Sequence, residues 1–230
     1  MTFDILDEQI AYYRARAGEY DDWWYRRGRY DRGAEFNQSW FAEAASVRAA
    51  LHALGPSGRV LELACGTGIW TEELLKFSAD ITAVDASPEV IELNRARLHS
   101  PAVRYRQLDL FAWEPDAEFD LVFIGFWLSH VPPERLDAFL DKVRRSVRAG
   151  GRLFIVDSLF DPSSTAKDHV LLDKGENWQV RKLGDGREFK VVKVFYEPAE
   201  LRAKLERLGF TMDVRKSGNF FLYGAGERSR

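Results

Sequence analysis

Apolar positions recur at three- and four-residue spacing from about Ile5 to Leu54, as in Phe41, Ala44, Ala45, Val47 and Leu51, and this period predicts helices. Gly55-Pro56-Ser57-Gly58 breaks that stretch. Beyond it the pattern alternates. Short apolar runs at 59–64, 80–85, 102–107, 120–125 and 151–157 read as buried strands. Amphipathic stretches lie between them, at Thr71–Phe77, Pro88–Leu98 and Pro132–Arg148. Strands alternating with helices predict βαβ units and a parallel sheet. Ser87-Pro88-Glu89 supplies a helix start, with a capping serine, a first-turn proline and an acid at the positive helix end. Ala149-Gly150-Gly151 is expected to stop the helix at 132–148 and open the next strand.

After Asp157 the pattern changes. Asp161 to about Leu172 reads as a short helix. Trp178–Leu183 and Arg187–Phe195 flank Gly184-Asp185-Gly186 and predict a hairpin. Pro198–Leu208 reads as a helix, and Phe210–Lys216 with Phe220–Tyr223 as a closing hairpin around Gly218-Asn219. The expected organisation is a single domain over 1–230. A helical cap spans 1–54, a ligand-binding core 55–158, an insertion over the carboxyl edge of the sheet 159–196, and a helix and hairpin 197–230.

Composition narrows the classes. With 46% hydrophobic and 30% charged residues, the chain is globular rather than disordered. The longest apolar run, Leu121 to Leu128, is eight residues, against the ~20 that a spanning helix needs, so no membrane insertion is expected. The acidic start MTFDILDEQ does not resemble a secretory signal, and a single cysteine allows no intrachain disulfide. A cytoplasmic location follows as an expectation. A net charge of −3 gives no basic face for nucleic acid. The sequence leaves the oligomeric state open.

The run VLELACGTGIW at 60–70 carries the chemistry. A strand feeds Glu62, then Gly66-Thr67-Gly68, then a helix. In open α/β sheets ligands bind beyond the carboxyl ends of such strands, and glycines there let a ligand approach the backbone closely. A GxG loop alone could equally serve a nicotinamide cofactor. Three features argue otherwise. The third glycine of the dinucleotide fingerprint is replaced by Thr71. Glu62, close to the loop, would repel a pyrophosphate and attract an ammonium. Asp85 ends the second strand, where it can accept from a ribose diol, and Asp109 follows the third, where it can accept from an adenine amino group. An ammonium, a ribose and an adenine without phosphate describe S-adenosylmethionine.

The order Glu62-Leu-Ala-Cys-Gly-Thr-Gly68, Val84-Asp85, Leu108-Asp109, 119–125 and 148–154 resembles the class I S-adenosylmethionine-dependent methyltransferases over roughly 55–157. The resemblance implies a Rossmann-like α/β fold. Its seven-stranded, mostly parallel sheet has the order 3-2-1-4-5-7-6, with the last strand antiparallel and helices on both faces. It also implies that Ala64, Gly66 and Gly68 face the methionine part, that Asp85 takes the ribose hydroxyls, that Asp109 and Leu110 hold the adenine, that Phe126 borders the methionine and sulfonium, and that Ala86 is a further cofactor contact. Family members with an opening like YYxxRAxEYD fold it over the cofactor, so Tyr13, Arg16 and Tyr20 are expected contacts. Among the N-terminal aromatics most rings are expected only to cover the sheet. Cys65 is read as packing.

A sulfonium is an activated donor, so alignment can carry most of the catalysis of an in-line displacement. A base is needed only if the acceptor arrives protonated. His130, in FWLSHVPP after the fourth strand, is the candidate, with an ordinary pKa of about 6.5. Asp157, ending the fifth strand, is a second group that could reach the acceptor. His52, His99 and His169 read as structural or exposed. Trp178, Phe195 and Tyr196 are candidates for the acceptor pocket. No (D/N)PP(Y/F) motif and no acid follow the fourth strand, which reads IGFW at 124–127, so neither a nucleobase acceptor nor a metal is expected. The expected reaction is methyl transfer to an oxygen or nitrogen of a small molecule. A non-catalytic S-adenosylmethionine-binding protein and, more remotely, a nicotinamide-dependent oxidoreductase are the alternatives.

Overall fold

The computed structural model describes residues 4–169 and 175–230. β1 (Arg59–Leu63) is buried along four of its five residues, because both its faces are covered by helices. It pairs in parallel with β2 (Asp80–Asp85) on one side and β4 (Phe119–Gly125) on the other. Outside these lie β3 (Val103–Gln107) against β2 and β5 (Val147–Ser158) against β4, both parallel. A late pair completes the sheet: β9 (Phe221–Arg228) runs antiparallel to β5 and also to β8 (Phe210–Lys216). The order is β3-β2-β1-β4-β5-β9-β8. This is the expected seven-stranded arrangement, with β8 and β9 in the places of sixth and seventh strands. The hairpin β6 (Trp178–Lys182) and β7 (Glu188–Val192) forms a separate two-stranded sheet.

Alternating strand residues supply two cores. Leu61, Leu63, Val122 and Ile124 point to the face covered by α6 (Pro133–Ser146) and α7 (Pro198–Arg207). Val60, Ile81, Leu121 and Phe123 point to the face covered by α3 (Ala34–His52), α4 (Ile69–Leu74) and α5 (Pro88–Leu98). Ser87 caps α5 as expected, its Oγ accepting from the Val90 amide at 3.3 Å. On the second face Trp40 is wholly buried, its indole donating to the Trp24 carbonyl at 3.1 Å.

Two expectations fail locally. The helix before β5 ends at Ser146 rather than at the glycines, and β5 opens at Val147, paired with Phe119. Between Val147 and Arg152 the register shifts, and Gly150 at φ +67° sits in that irregularity. The glycines thus serve a bulge within the strand, not a helix cap. The second failure is the helix expected from Asp161 to Leu172. A single 3-10 turn, Pro162–Ser164, stands at its start, and residues 170–172 lie outside the described segment. Asp161 caps that turn through the Ser163 amide at 2.7 Å, and the chain is extended again by Thr165. Serine and threonine that bond their own backbone compete with helix propagation.

Over the carboxyl edge of the sheet lie α1 (Ile5–Ala15), α2 (Tyr20–Trp24) and the β6–β7 hairpin. Tyr12 of α1 packs with Leu183 and Val191 of the hairpin region. The Gln9 side chain ties α1 to the segment after β4 and to the hairpin, donating to the His130 carbonyl at 3.1 Å and accepting from the Val192 amide at 3.0 Å. Among the described residues no helix is long and apolar enough to cross a membrane.

Candidate active site

The β1–α4 loop turns through left-handed backbone at Ala64 (φ +57°), Gly66 (φ +52°) and Gly68 (φ +92°). Three of its amides are used within the protein. Cys65 donates to the Val84 carbonyl at 2.9 Å, Gly66 to Asp85 Oδ2 at 3.0 Å, and Gly68 to the Cys65 carbonyl at 3.2 Å. A pyrophosphate cradle needs free amides, and these three are not available to one.

Beneath the loop runs a chain of side-chain bonds. The Tyr105 hydroxyl donates to Asn94 Oδ1 (2.8 Å), Asn94 Nδ2 to Thr71 Oγ1 (2.9 Å), and Thr71 Oγ1 to Glu62 Oε2 (2.6 Å). Asn94 Nδ2 also reaches the Gly66 carbonyl at 3.3 Å. Thr71, where a dinucleotide fold carries glycine, is therefore a structural link. Burial pushes the Glu62 carboxyl up to about 8. Gly68 has a packing reason: a Cβ there would stand 2.6 Å from Asn94 Oδ1. Cys65 is buried, and burial raises its thiol well above the ordinary range, so it stays protonated.

The cleft above this loop has a volume of about 730 Å³ and is lined by Ala64, Gly66, Asp85, Ala86, Asp109, Leu110, Phe126, Tyr13, Tyr20 and His130. These ten of the thirteen expected site residues come together. Glu62 and Gly68 support the loop from below, and Arg16 faces a second chamber instead. Asp85 is held by two amides, Gly66 at Oδ2 and Ser87 at Oδ1, both at 3.0 Å. Burial raises its pKa, and the Ser87 and Gly66 amides partly reverse the shift. Asp109 turns the chain after β3, accepting from the Phe111 amide at 2.9 Å. Sequence reasoning missed Gln9, Ile10, Ser87, Val90, Phe111 and Trp127, which also line the cleft. The indole N–H of Trp127 is buried with no partner among the described residues.

The second chamber, about 630 Å³, lies under α1 and the hairpin and shares Tyr13, Tyr20, Phe126 and His130 with the cleft. Phe195 lines it as expected, and so does His169, which the sequence suggested was structural or exposed. Trp178 and Tyr196 do not line it. Trp178 stacks under the Lys190 ammonium at 3.6 Å, and Tyr196 packs on the α6–α7 core. Asp157 is occupied by the Ser129 amide at 2.9 Å and the Ser158 amide at 2.7 Å. His130 lies between the two spaces. One ring nitrogen, Nδ1, is 2.7 Å from the Val192 carbonyl and must donate there. That leaves Nε2 as the acceptor for the Tyr13 hydroxyl, also at 2.7 Å. Burial, then Lys193, pulls the imidazole well below its ordinary pKa, so it is neutral near pH 7.

Comparison with known proteins agrees with this geometry. Residues 60–151 match the family described as "Methyltransferase domain". A ubiquinone biosynthesis O-methyltransferase of Xylella fastidiosa (strain 9a5c) is 32% identical over 209 residues, covering 82% of this chain and 80% of its own. The chain belongs to the class I S-adenosylmethionine-dependent methyltransferases. Its cofactor is S-adenosylmethionine. Among solved structures, the methyltransferase superposes on DhpI in complex with SAH at a TM-score of 0.79, with 36% identity over 100% of this chain and 99% of that one. DhpI bound to SAM and HEP gives the same TM-score, 0.79, over 98% of this chain and 99% of that one. The cleft's lining fits the cofactor: carboxylates Asp85 and Asp109 follow two strands, and Gly66 leaves room for a ligand to approach the loop.

Proposed function

We propose that this methyltransferase transfers a methyl group to an oxygen or nitrogen of a small molecule by in-line displacement, with the acceptor in the inner chamber. The observation that carries this reading is the shared wall. Tyr13, Tyr20, Phe126 and His130 border both spaces, so ligands in cleft and chamber would touch the same four side chains. Bound in the cleft, S-adenosylmethionine supplies a methyl group already activated by its sulfonium. Asp85 and Ala86 take the ribose, Asp109 and Leu110 the adenine, and Ala64 and Gly66 the amino-acid end. Phe126, Tyr13 and Tyr20 flank the junction, where ring faces favour a cation by ~0.5–2 kcal/mol. The β6–β7 hairpin serves as a lid, and α1 as the roof, to exclude water and fix alignment.

His130 is assigned as the base for an acceptor that arrives protonated. Its Nε2 lone pair is met by the Tyr13 hydroxyl, so a proton leaves the acceptor through that hydroxyl or displaces it. The curated relatives are named O-methyltransferases, which favours oxygen over nitrogen as the acceptor atom.

The test is calorimetry with S-adenosylhomocysteine and with NAD. The first binds and the second does not. Asp85→Ala, which frees the Gly66 and Ser87 amides and removes the ribose acceptor, weakens binding about 10-fold or more. Unchanged affinity in that variant would overturn the cleft assignment. Methyl transfer from labelled S-adenosylmethionine to a panel of phenols, hydroxy acids and amines then identifies the acceptor atom. Tight cofactor binding with no transfer to any member would favour a non-catalytic protein.

A further inference from the structure

The inner chamber carries charge of mostly one sign. Arg16, Arg181 and Lys193 line it, and Asp161 is the one carboxylate among its described lining residues. His130 and His169 line it too, both neutral near pH 7. Burial holds the first well below its ordinary value and the second at about 4. Two of the four charged groups are already engaged. Asp161 accepts from the Ser163 amide at 2.7 Å. Lys193 donates to Ser129 Oγ at 2.7 Å and pairs with Asp157 at 3.4 Å.

The two arginines are different. Neither has a carboxylate partner among the described residues. Arg181 rests on neutral groups, Thr165 Oγ1 at 2.7 Å and His169 Nδ1 at 3.3 Å. Arg16 is only 9% exposed, and among the described residues its Nε has no hydrogen-bond partner and its guanidinium makes one long bond, to the Tyr30 hydroxyl at 3.4 Å. Aromatic rings hold it instead. The guanidinium lies 5.0 Å from the Tyr20 ring centroid, 5.7 Å from Tyr12 and 6.0 Å from Tyr30. Ring faces steady a cation without cancelling its charge. A buried guanidinium with an idle N–H is costly, and an anionic guest offsets that cost. Its planar fork suits an oxyanion with two oxygens. Ser158, Ser164 and Thr165 add polar wall, and aromatic rings such as Trp23, Phe126 and Phe195 make up much of the rest. A neutral, largely apolar acceptor would strip water from these groups and return nothing.

We infer that the inner chamber takes an acceptor bearing a small oxyanion, a carboxylate or a phosphoryl-type group, held by the guanidinium groups of Arg16 and Arg181. This rests on the reading that the chamber is the acceptor site. It names the acceptor's chemical class.

The experiment titrates acetate, inorganic phosphate and phenol into the full chain saturated with S-adenosylhomocysteine, followed by calorimetry. It is repeated with Arg16→Gln, Arg181→Gln and the chamber-filling Ser158→Phe. At least one anion binds and phenol does not. The tighter anion tells carboxylate from phosphoryl. Each arginine variant weakens anion binding about 10-fold or more, as loss of a charged hydrogen bond does. Affinity for S-adenosylhomocysteine stays within about 2-fold of the parent's, which certifies the fold. Should Arg16→Gln fail that check, Arg181→Gln decides alone. Phenol binding that Ser158→Phe blocks and the arginine variants leave intact would overturn the oxyanion while sparing the chamber as acceptor site. Probe binding indifferent to Ser158→Phe would overturn both. Absence of any anion binding at tens of millimolar would also overturn the oxyanion.

Discussion

The Tyr13 hydroxyl lies 2.7 Å from His130 Nε2, while His130 Nδ1 is fixed 2.7 Å from the Val192 carbonyl. The tautomer is therefore set by the backbone, and Nε2 keeps a lone pair. Because burial and Lys193 depress the imidazole pKa, His130 should contribute no break in the pH profile of kcat/KM between about 6 and 7. A His130→Gln variant retains a donor for Val192 and loses the basic nitrogen. Its kcat should fall ~10²-fold or more with S-adenosylhomocysteine affinity intact. A variant turning over at the parent rate would remove His130 from the reaction.

Glu62 gives a stability prediction of definite sign. Its carboxyl is raised from 4.5 in the unfolded chain to about 8 in the folded one, first by burial. The folded state thus holds a proton that the unfolded state releases, and stability falls as pH rises from 4.5 towards 8. The buried histidines have depressed values and act in the opposite direction below about 6.5. Comparison with Glu62→Gln isolates the carboxyl. The parent should lose melting temperature relative to the variant as pH goes from 5 to 8. A constant gap between the two would refute a protonated Glu62.

Gly68 tests the loop. It combines φ +92° with a Cβ position 2.6 Å from Asn94 Oδ1 and 3.3 Å from Asn94 Cα. Gly68→Ala should cost about 1–3 kcal/mol in urea unfolding and weaken cofactor binding, since Asn94 also holds the Gly66 carbonyl. Parent-like stability would show that the loop has room to shift.

Trp40 tests the cap. It packs edge-on against Trp23 and Phe221, at 5.2 Å and 4.6 Å between centroids, and its indole bonds the Trp24 carbonyl. Trp40→Ala should cost about 3–5 kcal/mol. The smaller Trp40→Phe change should still be destabilising, because the Trp24 carbonyl loses its donor. Equal stability of parent and Trp40→Phe would mean that solvent reaches that carbonyl.

Much of this architecture was written in local patterns. β2 begins and ends at the residues its short apolar run predicted, and α5 matches from Pro88 to Leu98 because its cap and proline fix its start. The loop chemistry was legible for the same reason: Gly66, Asp85 and Asp109 lie at strand ends that the sequence itself marks. What stayed hidden depends on contacts distant along the chain. Arg16 reads as a cofactor residue by its position in an N-terminal motif. Its guanidinium lies among the rings of Tyr12, Tyr20 and the more distant Tyr30, and its chamber partner Arg181 sits on a hairpin far downstream. The glycines at 150 and 151 have two uses, a helix stop or a strand bulge, and the choice is made by Val147 pairing with Phe119. Thr71 was noticed for the glycine it lacks, and its bonds to Glu62 and Asn94 appear only when three elements meet.

The unpartnered indole of Trp127, in the wall of the cleft, has a practical consequence. Indole emission is sensitive to polarity and to hydrogen bonding at its nitrogen. With Trp23 in the wall of the second chamber, two of the seven tryptophans border the cleft and the chamber. Ligand arrival and departure can therefore be followed by light, in the unlabelled chain and on the timescale of a single turnover.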